Sequence, residues 1–163
     1  MDKEKILSVA GGVSNINLQF VENTNPSTLL IDKGDLLAVC KNLWSDPSTY
    51  FDQLSCITGL DNGPEAGTME VIYTLYSIPF NHSLMLKVVL PREKPEIESV
   101  SSVWKSAEWL EREVFDLYGI QFINHPDLRR ILMPADWEGF PLRKDYREQD
   151  TYRNIKLAPE PNA

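Results

Sequence analysis

Glu111, Glu113, Asp116 and His125 fall within one stretch of the sequence and are the side chains best suited to moving protons. Converging carboxylates beside a histidine could serve as general acid and base. On a helix, however, Glu111 and Glu113 lie two positions apart and point to different faces, so they do not converge. Asp116 stands four residues after Arg112, a spacing that suits an ion pair. Arginine pairing and helix solvation therefore account for these carboxylates better than catalysis. The alternative is an independent enzyme built on Glu111, Asp116 and His125, which would turn over substrate as a single chain.

Other chemistries lack their residues. The histidines are His82 and His125, and His125 beside Asp127 gives two donors where zinc takes three or four. Cys40 and Cys56 are far apart, form no CxxC, and read as free thiols in a reducing, cytoplasmic setting. Two cysteines cannot hold an iron–sulfur cluster. No GxGxxG or GxxxxGK[ST] is present to cradle phosphates, and no nucleophile elbow occurs. No catalytic, cofactor or metal site is expected.

Contact chemistry is better represented. Six of the seven arginines, all but Arg92, lie at or after Arg112. Arginine forks onto carboxylates, and arginine with large aromatics is enriched where interfaces are strongest. Arg129, Arg130, Trp137, Arg143, Lys144 and Tyr146 are the candidate partner contacts. Arg129 and Arg130 would meet partner carboxylates. Trp104 and Trp109 read as packing residues. Glu111 and Arg112 would lock their helix to the chain beyond it, and Gly119 would close it.

The elements that carry these residues follow from periodicity. Lys3–Val9 reads as a short helix, Asn15–Val21 as a half-buried strand and Leu29–Ile31 as a short strand. Asp32 is expected to cap a helix through about Trp44. Tyr50–Leu60, Met69–Ile78 and Ser83–Leu90 read as an antiparallel three-strand meander, with DNGPEAG as its first loop. A helix is expected from Ser99–Ser102 to Tyr118, with Ala107, Leu110, Val114 and Leu117 facing the sheet. Beyond Gly119, Pro126 to Pro134 suggests a short helix and Asp136–Gly139 a type I turn. The polar tail after Tyr146 is expected not to fold on itself.

The expected class is α+β: a mainly antiparallel sheet packed with helices, followed by an extended C-terminal arm. Residues 1–118 would form the core domain and 119–163 a partner-binding arm, protease-sensitive beyond about Gly119. The length of 163 residues suffices for one core without staples. The net charge of −8 disfavours nucleic acid as a partner. Apolar runs of only a few residues exclude a membrane-spanning helix, and the charged N-terminus does not read as a signal peptide.

The block Glu111-Arg112-Glu113, Asp116-Leu117-Tyr118-Gly119-Ile120, Phe122, His125-Pro126-Asp127-Leu128-Arg129-Arg130-Ile131-Leu132 and Gly139-Phe140-Pro141-Leu142-Arg143-Lys144-Asp145-Tyr146 closely resembles the C-subunit family of respiratory complex I, the proton-pumping NADH:quinone oxidoreductase. The resemblance implies a non-catalytic peripheral-arm subunit without a redox centre. It would brace the large D subunit that shapes the quinone pocket, in its stand-alone form not fused to that subunit. FMN, iron–sulfur clusters, NADH and quinone would sit on other subunits. Partners would be the large D subunit and the iron–sulfur B and I subunits. The place implied is the cytoplasmic side of the cell inner membrane, with membrane association through partners only. The chain ends sooner after Tyr146 than many family members. An equivalent subunit of a membrane-bound energy-converting hydrogenase is the alternative within the resemblance.

Overall fold

Ten-residue strands with strict alternation dominate the centre of the molecule. The computed structural model describes residues 3–12 and 18–157. In chain order its elements are α1 (Lys3–Gly11), β1 (Gln19–Val21), β2 (Thr28–Leu30), α2 (Leu36–Ser45), β3 (Gln53–Asp61), β4 (Thr68–Ser77), β5 (His82–Pro91), β6 (Glu96–Glu98), α3 (Ala107–Tyr118), β7 (Gln121–Ile123), β8 (Thr151–Tyr152) and β9 (Ile155–Lys156).

The meander is present as β3–β4–β5, antiparallel throughout. The five-stranded sheet runs β1-β2-β5-β4-β3, with β2 parallel to β5, so β3 is a free edge. Along β4, Met69, Val71, Tyr73 and Leu75 point inward, as do Leu84, Leu86, Val88 and Leu90 along β5. Leu36, Val39, Cys40 and Leu43 of α2 and Ala107 and Val114 of α3 complete the core, with α1 packed on α2 and α3 on β3. The opposite face of the sheet is mixed: Lys87 meets Glu70 there at 2.6 Å, and Leu60 and Val89 are exposed apolar residues on it. This is the expected α+β class. The expected strand at Asn15–Val21 appears as Gln19–Val21, and its residues 15–17 lie outside the described residues.

Several elements depart from their expected bounds. α2 starts at Leu36, with Asp35 rather than Asp32 at the N-cap position and no side-chain cap bond, because Asp32 to Asp35 form a turn closed by the Asp35 amide on the Asp32 carbonyl. α3 starts at Ala107 rather than near Ser99. Val100 to Trp104 are turns, held in place because the Val100 amide bonds Glu111 and the Trp104 indole bonds the Phe51 carbonyl. No helix spans Pro126 to Pro134. The turn expected at Asp136–Gly139 lies two residues earlier, where the Trp137 amide donates to the Pro134 carbonyl.

The chain after Gly119 also begins differently from an arm. Ile120 and Phe122 are buried in the same core, and β7 pairs in parallel with β6. The irregular C-terminal segment therefore starts after Ile123. It does not extend away: residues 124–150 fold back over α3 and the end of the sheet, and β8–β9 form a small hairpin against them.

Candidate partner interface

α3 and the β3 end of the sheet position the C-terminal segment through three anchors. The first is Asp116, fully buried on α3. The amides of Ile131, Leu132 and Met133 donate to its Oδ2 at 3.0, 2.7 and 2.8 Å. Arg130 Nη1 donates to Oδ1 at 2.7 Å. Burial raises the Asp116 pKa, but the Met133 amide, Arg130 and the other two amides outweigh it and leave it below the ordinary carboxylate range. Three consecutive amides turned onto one carboxylate oxygen cannot also serve helical bonds. This is the physical reason for the missing helix.

The second anchor is arginine on carbonyl oxygens. Arg112 of α3 donates to the carbonyls of Arg129 and Arg130 at 3.0 and 3.2 Å. Arg130 Nη2 donates onward to the carbonyls of Trp137 and Gly139 at 3.1 and 2.8 Å. Arg143 donates to the Tyr118 carbonyl at 2.6 Å, and its guanidinium lies 4.8 Å from the Phe140 ring centre. Gly119, with φ of 74°, closes α3; a Cβ there would come within 2.5 Å of the Phe140 ring. The glycine thus satisfies both a left-handed backbone and a close approach.

The third anchor is Asp61 at the end of β3. Arg92 donates to it at 2.8 Å, and the amides of Lys144 and Gly63 at 2.8 and 2.9 Å. Arg92 also bridges to Asp145. The Arg92 hydrogen bonds, with the two amides, hold the Asp61 carboxyl well below the usual range despite burial.

The expected contact residues divide accordingly. Arg130, Trp137, Arg143 and Tyr146 are committed inside the chain; the Trp137 indole N–H donates to the Tyr146 hydroxyl at 3.1 Å, and its ring lies 5.2 Å from that of Tyr152. Arg129 points outward, 73% exposed, and among the described residues its side chain pairs with Asp127 alone. Lys144 is exposed, with its amide on Asp61 and its Nζ donating to the Asn62 carbonyl at 3.4 Å. Trp109 on α3, 61% exposed, and Leu132, 60% exposed, are apolar side chains left facing out. Trp109 is therefore not the packing residue its type suggests. Its spacing from the buried Ala107, Glu111 and Val114 is the signal that it faces solvent.

Arg112 joins α3 to the following segment through the Arg129 and Arg130 carbonyls. Glu111 instead turns inward: it accepts from Ser99 Oγ at 2.6 Å and the Val100 amide at 2.8 Å. Burial pushes its pKa up to about 7 against these two bonds. His125 Nε2 lies 3.9 Å away and bonds the Glu108 carbonyl, while His125 Nδ1 accepts the Asp127 amide. Both side chains of this pair are buried. Among the described residues no three His, Cys, Asp or Glu side chains are grouped to hold a metal. Cys40 is buried and Cys56 exposed, both free. No described helix is long and apolar enough to cross a membrane.

The sequence that builds most of this sheet, α3 and the segment is similar to known proteins. The family model "Respiratory-chain NADH dehydrogenase, 30 Kd subunit" matches residues 29–152, which includes most of the sheet, α3 and most of the anchored segment. A relative from Chloroherpeton thalassium, named as the C subunit of an NADH-quinone oxidoreductase, is 45% identical over 113 residues, 69% of this chain and 46% of the relative. One of the same name from Geobacter sulfurreducens is 46% identical over 120 residues, 73% of each. The match thus spans less than half of the first relative's length and about three quarters of the second's. A solved structure of Nqo5, a trypsin-resistant fragment (1-134), matches with a TM-score of 0.60 at 27% identity, covering 78% of this chain and all of that one. The chain belongs to the respiratory-chain NADH dehydrogenase 30 kDa subunit family, whose relatives are named as the C subunit of NADH-quinone oxidoreductase.

Proposed function

We propose that this chain is the non-catalytic peripheral subunit of an NADH:quinone oxidoreductase that braces the large D subunit, with the iron–sulfur B and I subunits as further neighbours. The reading is carried by the family match over residues 29–152. The anchored segment supports it: buried carboxylates and arginines hold an irregular surface in one shape, and the outward groups Arg129, Lys144, Trp109 and Leu132 are of the kinds that make contacts. Prior ordering of a loop lowers the entropy cost of docking. FMN, iron–sulfur clusters, NADH and quinone belong to other subunits in this reading, and electron transfer passes this chain by. Its place is the cytoplasmic side of the inner membrane, held through partners. The segment that follows the core-packed β7, together with Trp109 of α3, supplies the partner surface.

The test is co-isolation. The tagged full chain, extracted from native membranes and analysed by mass spectrometry, should carry the D, B and I subunits. Recovery of the chain without them would refute the reading. Turnover of NADH or quinone by the purified chain would refute its non-catalytic part.

A further inference from the structure

The free edge of the sheet carries unspent hydrogen-bonding groups beside an apolar groove. The Asn62 amide donates to the Thr68 carbonyl, which fixes the alternation of the β3–β4 ladder. Thr58 opposite Ile72 and Leu60 opposite Glu70 then share the phase that bonds across to β4. Ile57 and Gly59, on either side of Thr58, turn their N–H and C=O groups off the sheet. Neither makes a hydrogen bond there among the described residues, although both residues are buried. Buried main-chain groups left without partners are costly and rare.

These groups open into a groove of about 210 Å3 between β3, α3 and the segment, lined by Leu110, Val114, Leu117, Tyr118 and Leu142. Leu142 is 49% exposed. The Tyr118 ring lies where a Cβ on Gly59 would be, 2.7 Å away, so glycine lets α3 approach this edge. Ser106 Oγ bonds the Leu54 carbonyl at one end of this edge, and at the other the Lys144 amide bonds the Asp61 carboxylate. The stretch beside the groove is the part of this edge that faces an apolar opening. At its rim Glu113 is exposed and forms no hydrogen bond or ion pair among them.

We propose that an extended segment of a different polypeptide adds as a strand to Ile57–Gly59, setting an apolar side chain into the groove and a basic one against Glu113. Main-chain pairing at an exposed edge, with a pocket for one side chain, is an established mode of peptide capture. Residues 158–163, APEPNA, carry two prolines and no base, so they are a poor strand donor. A second copy would bring another net charge of −8 and another Glu113 to the seam. The inference rests on the proposed function only for the source of the strand, a neighbouring subunit.

Cys56 lines the groove and is exposed, whereas Cys40 is buried with its thiol pKa raised by burial and by Glu111, so N-ethylmaleimide reports on one site. The full chain alone is compared with the chain co-isolated with its partners. In the assembly, Cys56 labelling and amide exchange at Ile57 and Gly59 should each slow about tenfold or more. A Glu113→Lys variant should lose most of that protection while the free chain's rates stay unchanged. Equal rates in free and co-isolated chain overturn the inference and leave the proposed function standing. Protection that grows with the concentration of the free chain assigns the edge to a second copy and also overturns it. A chain isolated without partners removes the proposed function and, with it, the strand donor.

Discussion

Strand β4 places Met69, Val71, Tyr73 and Leu75 in a core with no exposure, while the chain from Asn124 to Leu157 contributes only a partly buried Leu128 to that core. The two regions are both ordered, but by different physics. The sheet and its helices are held by apolar burial, which is non-directional. The C-terminal segment is held by directional bonds from arginines and amides to Asp116, Asp61 and main-chain carbonyls. Such anchors fix one shape without a core of their own, which suits a surface meant to be read by another protein. They also give the segment a different response to mutation and to pH.

Removing the central anchor should separate the regions most sharply. Asp116→Ala leaves Arg130 and three amides without their acceptor, a loss of about 3–5 kcal/mol in a buried network. Limited proteolysis should then cut between residues 124 and 150 while urea unfolding of the sheet, followed by far-ultraviolet circular dichroism, changes little. The mirror experiment is Leu75→Ala. It should cost about 2–5 kcal/mol of global stability, read as a lower urea midpoint, and release both regions together because the segment docks on the core.

Acid and base should act on the two regions in opposite senses. The folded pKa of Glu111, about 7, lies above its ordinary 4.5. Its contribution to stability is therefore fully present below pH 4.5 and is lost as pH rises through 7, a change on the order of 3 kcal/mol. Glu111→Gln should flatten that loss in pH-dependent urea titrations. Asp116 and Asp61 are shifted the other way, so their contribution is present above the ordinary carboxylate pKa and is lost as pH falls below it. Acid should loosen the segment while the protonated Glu111 sits comfortably in the core; amide exchange at graded pH separates the two.

Adjacent arginines offer the finest comparison. Arg130→Ala deletes bonds to Asp116, Trp137 and Gly139 and should cost about 1.5–3 kcal/mol, seen as faster proteolysis of the segment. Arg129→Ala should leave proteolysis unchanged, since its side chain is exposed and, among the described residues, meets Asp127 alone. Its effect should appear instead as weaker co-isolation with partner subunits.

Much of the sheet is legible in the sequence because β4 and β5 are apolar runs rich in β-branched and aromatic residues bounded by turn signals, although their burial, not their composition, is what alternates. The chain after Gly119 is legible in composition but not in form. Pro126, Asp127 and Pro134 carry the local signals of a short helix, and those signals lose to Asp116, which draws three amides onto one oxygen from a distance of fifteen residues or more. No local pattern announces such a long-range competitor. Glu111 shows the same limit in reverse. Its helical position beside Val114 marks an inward face, yet its charge argues for solvent, and only the Ser99 and Val100 donors explain how a carboxyl is buried there. The polar composition after Tyr146 argues against any fold of its own. β8 and β9 nevertheless pair, because Arg153 and Asn154 take the left-handed conformations of a tight turn and Tyr152 docks on Trp137.

The central claim is that buried carboxylates hold the C-terminal segment on the core before any partner arrives. Amide hydrogen exchange at Ile131, Leu132 and Met133 in the isolated full chain at neutral pH tests it most directly. The expected result is protection at all three, abolished by Asp116→Ala while the amides of β4 and β5 stay protected. Exchange of these three amides at unstructured-chain rates in the unaltered protein would contradict it.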